Sequence, residues 1–462
     1  MSIELPKERS AFLWGPRKVG KTTWLLENYP DAQYVDLRKT DTLASYASRP
    51  ALLRERWQAG LTIIDEIQKA PRLLDEVHWL IENRGAQFIL TGSSARKLRR
   101  GDANLLGGRA WRYELGPLSW MEVDDFELED VFVRGLVAPH FTSPDPKMDL
   151  RAYVADYLRE EIIEEARVRD APAFSEFLRV AGITNGELLN YTNVARDTGV
   201  SAKVIRTYYE ILEDTLLGFR LRPWTRSESR RLTTTDRFYL FDFGVANHLA
   251  RRRPAPGTPE FGRSFEHYIL TELLAYKRYR ALDMDIRYWR SASGIEVDFV
   301  LGDMDVVVEA KATRNVVRGH LRGLRTMVAE HKLERVFVVS LDPERRVLDD
   351  GIVILPWRDF VRSLWKNEIY QARTRELERQ NRFLGLRTRF LASFSSLIET
   401  LERICLTLNG VPLFDSMASG LAPSFSILCA ECPNPHPTLR EGFGIPGRTC
   451  PTDSLHDPCG IT

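Results

Sequence analysis

The chain has 462 residues, enough for about three domains at roughly 150 residues each. Its hydrophobic content of 44% excludes global disorder. Its net charge of +1 excludes a histone-like coat for nucleic acid, so any such contact must come from a local patch. Apolar runs fall short of the roughly 18 residues a membrane helix needs. The polar start MSIELPKERS lacks an apolar signal core, so a cytoplasmic protein without membrane partners is expected. All five cysteines stand at or after Cys405, which fits a reducing compartment and sets the tail apart.

Residues 1–120 read as alternating strands and helices, the pattern of a parallel sheet. Strands are expected at Ser10–Trp14, Gln33–Leu37, Leu61–Asp65, Gln87–Thr91 and 109–115, with a helix from Lys21. Residues 121–225 read as mainly helical. There, one helix ends at Gly199, and a second follows with Ser201 as N-cap and Val204, Tyr208, Ile211 and Leu212 on one face. The run LLGFRLRPW then reads as a wing, so a winged helix-turn-helix is expected. Residues 226–370 return to α/β, with a helix over 265–279 and strands over 294–301, 305–312, 335–341 and 349–357. Residues 371–462 form an atypical tail that opens with an amphipathic stretch and then turns rich in Pro and Gly. It is expected to be disordered or to derive from a shifted reading frame. Cys429 and Cys432 form a C-x-x-C pair, but Cys450, Cys459, His436 and His456 supply no second close pair, which argues against zinc.

Gly15-Pro16-Arg17-Lys18-Val19-Gly20-Lys21-Thr22-Thr23 fits the phosphate-loop pattern G-x-x-x-x-G-K-[ST] between an expected strand and helix. Such a loop curls so that successive N–H groups face a polyphosphate at the positive end of the helix. Lys21 is suited to the β and γ phosphates and Thr22 to Mg²⁺. Leu61-Thr62-Ile63-Ile64-Asp65-Glu66 is an apolar strand ending in two carboxylates. Asp65 suits the metal shell, and Glu66 suits activation of an attacking water. Thr91 and Ser93, ending a later strand, are both candidates for a polar sensor beside the γ-phosphate.

A second group lies further along. Glu296 and Asp298 share one strand face, opposite Ile295, Val297 and Phe299; Glu309 and Lys311 share a face of the next strand. A hairpin at Gly302-Asp303-Met304 brings Asp298 near Glu309, an arrangement suited to Mg²⁺ and water activation. Asp298, then Glu309-Ala310-Lys311, resembles the restriction-endonuclease-like pattern, and Glu266 matches its acidic helix residue.

Together, GPRKVGKTT, LTIIDEIQ, FILTGSSARKL, GGRAWRYELGPLS, YVADYLREEI, FYLFDFGVANHL, FEHYILTELL and YWRSASGIEVDFVL resemble a family of bacterial and archaeal AAA+ ATPases. Its members carry a C-terminal winged-helix and restriction-endonuclease-like domain of unassigned function, the DUF4143 class. The resemblance spans about residues 8–365 and implies a P-loop AAA+ sheet, ATP, Mg²⁺ and homo-oligomers. It places Arg109 where a neighbouring subunit often supplies an arginine to the γ-phosphate; a structural salt bridge is the other reading.

The expected activity is ATP hydrolysis coupled to a DNA- or protein-associated module. Alternatives are an ATP-gated, Mg²⁺-dependent nuclease and a nucleotide-switched binding module without turnover. Lys203, Arg206, Arg220, Arg222, Arg226, Arg230 and Arg231, with Trp224 and Tyr208 or Tyr209, form a local basic patch suited to DNA phosphates. A module that packs against protein is held equally open.

Overall fold

The computed structural model of the chain describes residues 9–93, 106–123, 126–155, 170–225, 235–291, 293–331 and 333–371. The expected tail from residue 372 onward, with all five cysteines, lies outside the described residues, as do Arg226, Arg230 and Arg231.

Short apolar strands alternating with helices build a mixed α/β protein, which opens with an all-parallel five-stranded sheet. Its strands are β1 (Ser10–Trp14), β2 (Gln33–Asp36), β3 (Leu61–Asp65), β4 (Gln87–Gly92) and β5 (Ala110–Glu114). They lie in the order β2-β3-β4-β1-β5. Central strands β1, β3 and β4 are buried on both faces, which is why they read as unbroken apolar runs. Helices α1 (Lys21–Asn28), α2 (Thr40–Ser48), α3 (Leu52–Arg56) and α4 (Leu73–Arg84) connect them. One face packs Phe12, Ile64, Phe88 and Leu90 against α4; the other packs Leu13, Ile63 and Ile89 with Leu25 of α1.

A helical region follows: α5 (Leu128–Arg134), α6 (Ala138–Thr142), α7 (Pro146–Ala152), α8 (Ala171–Ile183), α9 (Tyr191–Thr198) and α10 (Ala202–Asp214). As expected, Gly199 closes α9 in the left-handed conformation, and the Ser201 side chain caps α10 by accepting from Val204 N–H. The expected wing is different. LLGFRLRPW becomes β6 (Gly218–Pro223), which pairs antiparallel with β7 (Arg237–Leu240) and parallel with β8 (Ile286–Arg290). Its buried positions, Gly218, Leu221 and Pro223, need cover on the sheet's faces, and a free wing cannot give it. The boundary expected at 225/226 thus falls between two hydrogen-bonded strands of one sheet.

That sheet has eight strands in the order β12-β13-β11-β10-β9-β8-β6-β7. Its remaining strands are β9 (Glu296–Leu301), β10 (Val306–Lys311), β11 (Arg335–Ser340), β12 (Arg346–Val347) and β13 (Val353–Pro356). Helix α11 (Phe243–Leu249) follows β7. Helix α12 (Pro259–Tyr279) starts six residues before the expected 265, because Thr258 caps it and Pro259 suits its first position. Helices α13 (Arg322–Glu330) and α14 (Trp357–Trp365) complete the layers. Apolar side chains of α12 and α14 cover one face of the sheet, and Leu324 and Met327 of α13 cover the other.

The expected alternation in β9 fails at one point. The register with β8 shifts between Arg287 and Trp289, so three residues of β9 span what two of β8 span. The bulge turns Phe299 to the α12 face, whereas Val297 stays with the α13 face. Phe299 is therefore not on the face of Val297, as strict alternation requires.

Candidate functional site

The first site sits at the C-terminal ends of β1, β3 and β4. Gly20 begins α1 with φ 92°, a conformation that suits glycine, and no side chain caps the helix. The first N–H groups of α1 are thus left open to an anion. Lys21 turns back into the loop, donating to the carbonyls of Gly15 (2.7 Å) and Pro16 (2.9 Å). Burial pushes its pKa down to about 8, against the opposing pull of Glu66 and Asp65.

Asp65 is the hub. Thr22 Oγ1 donates to Asp65 Oδ2 at 2.8 Å and Tyr34 Oη at 2.6 Å, while Thr91 Oγ1 donates to Asp65 Oδ1. Arg38 reaches Asp65 Oδ2 at 3.4 Å. Burial and the bond to Asp65 push the Tyr34 hydroxyl pKa up. The next residue, Glu66, takes a left-handed φ of 64°, stored strain for a non-glycine residue. Its N–H donates to Thr91 Oγ1 at 3.2 Å. Its carboxylate accepts from Gln68 Nε2, which also donates to Ser93 Oγ at 3.1 Å. Of the two sensor candidates, Thr91 therefore serves Asp65, and Ser93 serves the Gln68–Glu66 pair. Gln68 Oε1 is buried without a hydrogen-bond partner among the described residues.

Sequence reasoning missed Tyr34, Arg38 and Gln68. Gln68 lay in plain view in DEIQ, but nothing in the spacing showed that its amide turns back to Glu66. Tyr34 and Arg38 come from the neighbouring strand β2 and its exit, and only the strand order brings them to Asp65.

Arg109 is placed elsewhere. Its carbonyl accepts from Ser10 N–H at the start of β1, the opposite end of the strand from the phosphate loop. Its guanidinium pairs with Glu82 at the end of α4. The length of β1, four steps of about 3.3 Å or about 13 Å, separates it from the loop of its own chain. Within the chain Arg109 thus takes the geometry of the second reading, a salt bridge with Glu82.

The loop also touches the rest of the molecule. Lys18 Nζ lies 5.5 Å from the centre of the Tyr153 ring, and Tyr153 Oη is 3.5 Å from the Arg17 carbonyl oxygen. Arg278 pairs with Glu114 at 3.0 Å, and Glu272 accepts from Trp120 N–H at 2.9 Å. A cavity of about 220 Å³ opens beside Pro16, between Leu115 and Pro117 on one side and Phe219, Leu274 and Arg278 on the other.

This geometry matches what the family comparisons find. An AAA domain profile matches residues 7–124, a domain of unknown function (DUF8612) residues 126–255, and a domain of unknown function (DUF4143) residues 261–360. Residues 7–124 thus match an AAA domain, and residues 261–360 match the DUF4143 domain. An uncharacterized protein of Mycobacterium tuberculosis is 24% identical over 355 residues, 74% of this chain and 79% of that protein. One from Haemophilus influenzae is 22% identical over 266 residues, 53% of this chain and 64% of that protein. Among solved structures, the Aeropyrum pernix ORC1 protein in complex with DNA is 15% identical with a TM-score of 0.21, covering 54% of this chain and 87% of its own. A Signal Transduction ATPase with Numerous Domains from Pyrococcus horikoshii is 12% identical with a TM-score of 0.16, covering 59% and 48%.

The second group of residues does converge. Lys311 Nζ lies 2.5 Å from Glu309 Oε1 and 3.9 Å from Asp298 Oδ2, and Glu266 stands across from them on α12. Burial pushes the Glu266 and Glu309 pKa values up, and Asp298 adds to both shifts. The sequence did not reveal a further member: Arg237 of β7 enters the cluster and pairs with Glu266 at 3.1 Å and with Glu296. No grouping able to hold a metal ion occurs among the described residues. With a guanidinium among its carboxylates, this cluster does not fit the Mg²⁺ that the nuclease-like resemblance implies.

The basic patch is also thinner than expected. Tyr208 and Tyr209 are core residues packed on Phe174, Phe177 and Phe238, because α10 turns that face inward. Arg220 pairs with Glu213 at 2.8 Å, and Trp224 packs against His331. Lys203, Arg206 and Arg222 remain exposed. Among the described residues, no helix is long and apolar enough to cross a membrane.

Proposed function

We propose that this AAA+ chain binds Mg²⁺-ATP at the phosphate loop, hydrolyses it, and uses turnover to rearrange its helical and C-terminal modules. The observation that carries this is the hub at Asp65, where the ends of three strands and the start of α1 converge on one carboxylate beside the loop. The uncapped N-terminus of α1 and the Lys21 ammonium receive the β and γ phosphates. The cavity beside Pro16 takes the base.

Hard oxygen donors suit Mg²⁺, and Thr22 Oγ1 and Asp65 Oδ2 are the pair that would hold it. The bound ion supplies neutralisation of phosphate charge. Glu66 accepts a proton from the attacking water. Gln68 fixes that carboxylate through Nε2, and its free Oε1 accepts the water's second O–H. Arg38, at the rim, offers a charge to the γ-phosphate once that phosphate draws it from Asp36 and Asp65.

The contact of Lys18 and Arg17 with Tyr153 supports a route from phosphate to the helical module. Exposed Lys203, Arg206 and Arg222 support contact of that module with a nucleic-acid backbone. The test is ATP turnover by the full chain, alone and with DNA or RNA. Wild type should turn over ATP and Lys21→Ala should not. Equal turnover by both rejects the reading. Stimulation by DNA that is lost in Lys203→Ala/Arg206→Ala identifies the nucleic-acid partner.

A further inference from the structure

The cluster on α12, β9 and β10 holds four carboxylates: Glu266, Glu296, Asp298 and Glu309. So many carboxylates cannot stay ionised together without nearby cations. Three side chains answer them, and Arg290 takes Glu296 at 3.0 Å. Lys311 takes Glu309 and Asp298 from one side. Arg237 takes Glu266 at 3.1 Å, Asp298 at 4.0 Å and Glu296 from the other. The guanidinium lies with its carbon 5.0 Å from the centre of the Tyr288 ring, and the Arg237 side chain is only 8% exposed.

Several of these carboxylates accept further hydrogen bonds from the protein. Glu266 Oε1 accepts from Tyr239 Oη at 2.5 Å. Asp298 Oδ2 accepts from Ala310 N–H at 2.9 Å, and Glu309 Oε2 accepts from Asp298 N–H at 3.3 Å. A small divalent cation needs several oxygens turned inward around one point, with waters filling the rest. Here the same oxygens face protein donors. Arginine also cannot be discharged by its surroundings, so its charge is permanent.

We propose that Arg237 is the resident cation of this cluster. It is delivered from edge strand β7, outside the 261–360 segment that supplies Asp298, Glu309 and Glu266. While it is in place, the cluster takes no divalent cation. Removing the guanidinium turns Glu266, Asp298 and Glu309 into a divalent-cation site. This inference is independent of ATP hydrolysis and concerns the eight-stranded sheet and α12 alone.

The test counts Mn²⁺ bound per chain, from the spin-resonance signal of the free ion, in full-length protein without nucleotide. Wild type, Asp298→Asn, Arg237→Gln and the double variant are compared. The Asp298→Asn arms subtract any Mn²⁺ held at the phosphate loop. Wild type and Asp298→Asn should bind equally. Arg237→Gln should bind one Mn²⁺ per chain more than the double variant. If wild type holds one Mn²⁺ that Asp298→Asn loses, the site is open to metal and the proposal fails. It fails equally if folded Arg237→Gln gains none. Should Arg237→Gln not fold, the wild-type pair decides: equality supports the proposal and a difference overturns it.

Discussion

Thr22 donates a 2.8 Å hydrogen bond to Asp65 across 43 residues of chain. The hydroxyl and the carboxylate reach each other because α1 starts at the end of β1 and β3 ends beside it. Two oxygens held this close are preset to share a metal ion. Thr22→Ala and Asp65→Asn should each reduce Mg²⁺-dependent ATP turnover by at least about 100-fold, as loss of a phosphoryl-transfer metal ligand does. Steady-state turnover over a Mg²⁺ series checks this, and full rescue at high Mg²⁺ for Asp65→Asn would count against its role.

The depressed pKa of Lys21 makes nucleotide binding depend on pH. Its folded value of about 8 lies below the ordinary 10.5, so the free protein loses this proton as pH rises through 8. Phosphates favour the charged form and raise the value again. ATP binding at pH 8.5 should therefore take up a proton, and affinity should fall as pH rises above 8, by up to about tenfold per unit. Calorimetry in buffers of different ionisation enthalpy measures the uptake; Lys21→Met should abolish it. The stability sign is opposite to that of a stabilising pair. The buried charge costs stability below pH 8, and the cost fades as pH rises toward 10.5.

Glu66 and Gln68 separate binding from chemistry. Glu66→Gln should retain ATP within about threefold and lose turnover by about 100-fold or more. Gln68→Ala frees the carboxylate that it holds and should lower kcat by about tenfold with little change in KM. A Gln68→Ala enzyme with wild-type kcat would remove Gln68 from the mechanism.

Arg109 and Glu82 form an exposed pair, and solvent screening leaves such pairs little effect on stability. Arg109→Ala and Glu82→Ala should shift the melting temperature by similar small amounts. Neither should alter turnover if the salt bridge is their only role. A large loss of turnover in Arg109→Ala alone, growing with protein concentration, would assign Arg109 to the phosphate site of a neighbouring copy.

Gly92 allows a close approach beside the site. A Cβ there would lie 2.5 Å from both Gln68 Oε1 and the Trp14 ring. Gly92→Ala should destabilise the protein by about 1–3 kcal/mol, as overpacking does, and should lower kcat by displacing Gln68. Denaturant unfolding and turnover on the same preparation check both effects.

The sequence by itself determined the phosphate loop, the acidic strand end and the hydroxyl strand end. Each is a local pattern whose chemistry depends on adjacent residues. It likewise determined the α9–α10 turn, because Gly199 and Ser201 act through their own backbone neighbours. It also brought Asp298 near Glu309, since the turn between their strands is short. Only the tertiary structure decided what depends on strand order. Placing β2 beside β3 brings Tyr34 and Arg38 to Asp65, and leaving Arg109 at the far end of its strand keeps it from the loop of its own chain. Joining β6 and β7 to the large sheet turns an expected wing into an inner strand and carries Arg237 of the edge strand into the carboxylate cluster. Hydrogen bonding between strands distant in sequence is set by packing of whole layers, and no window of the chain contains that information.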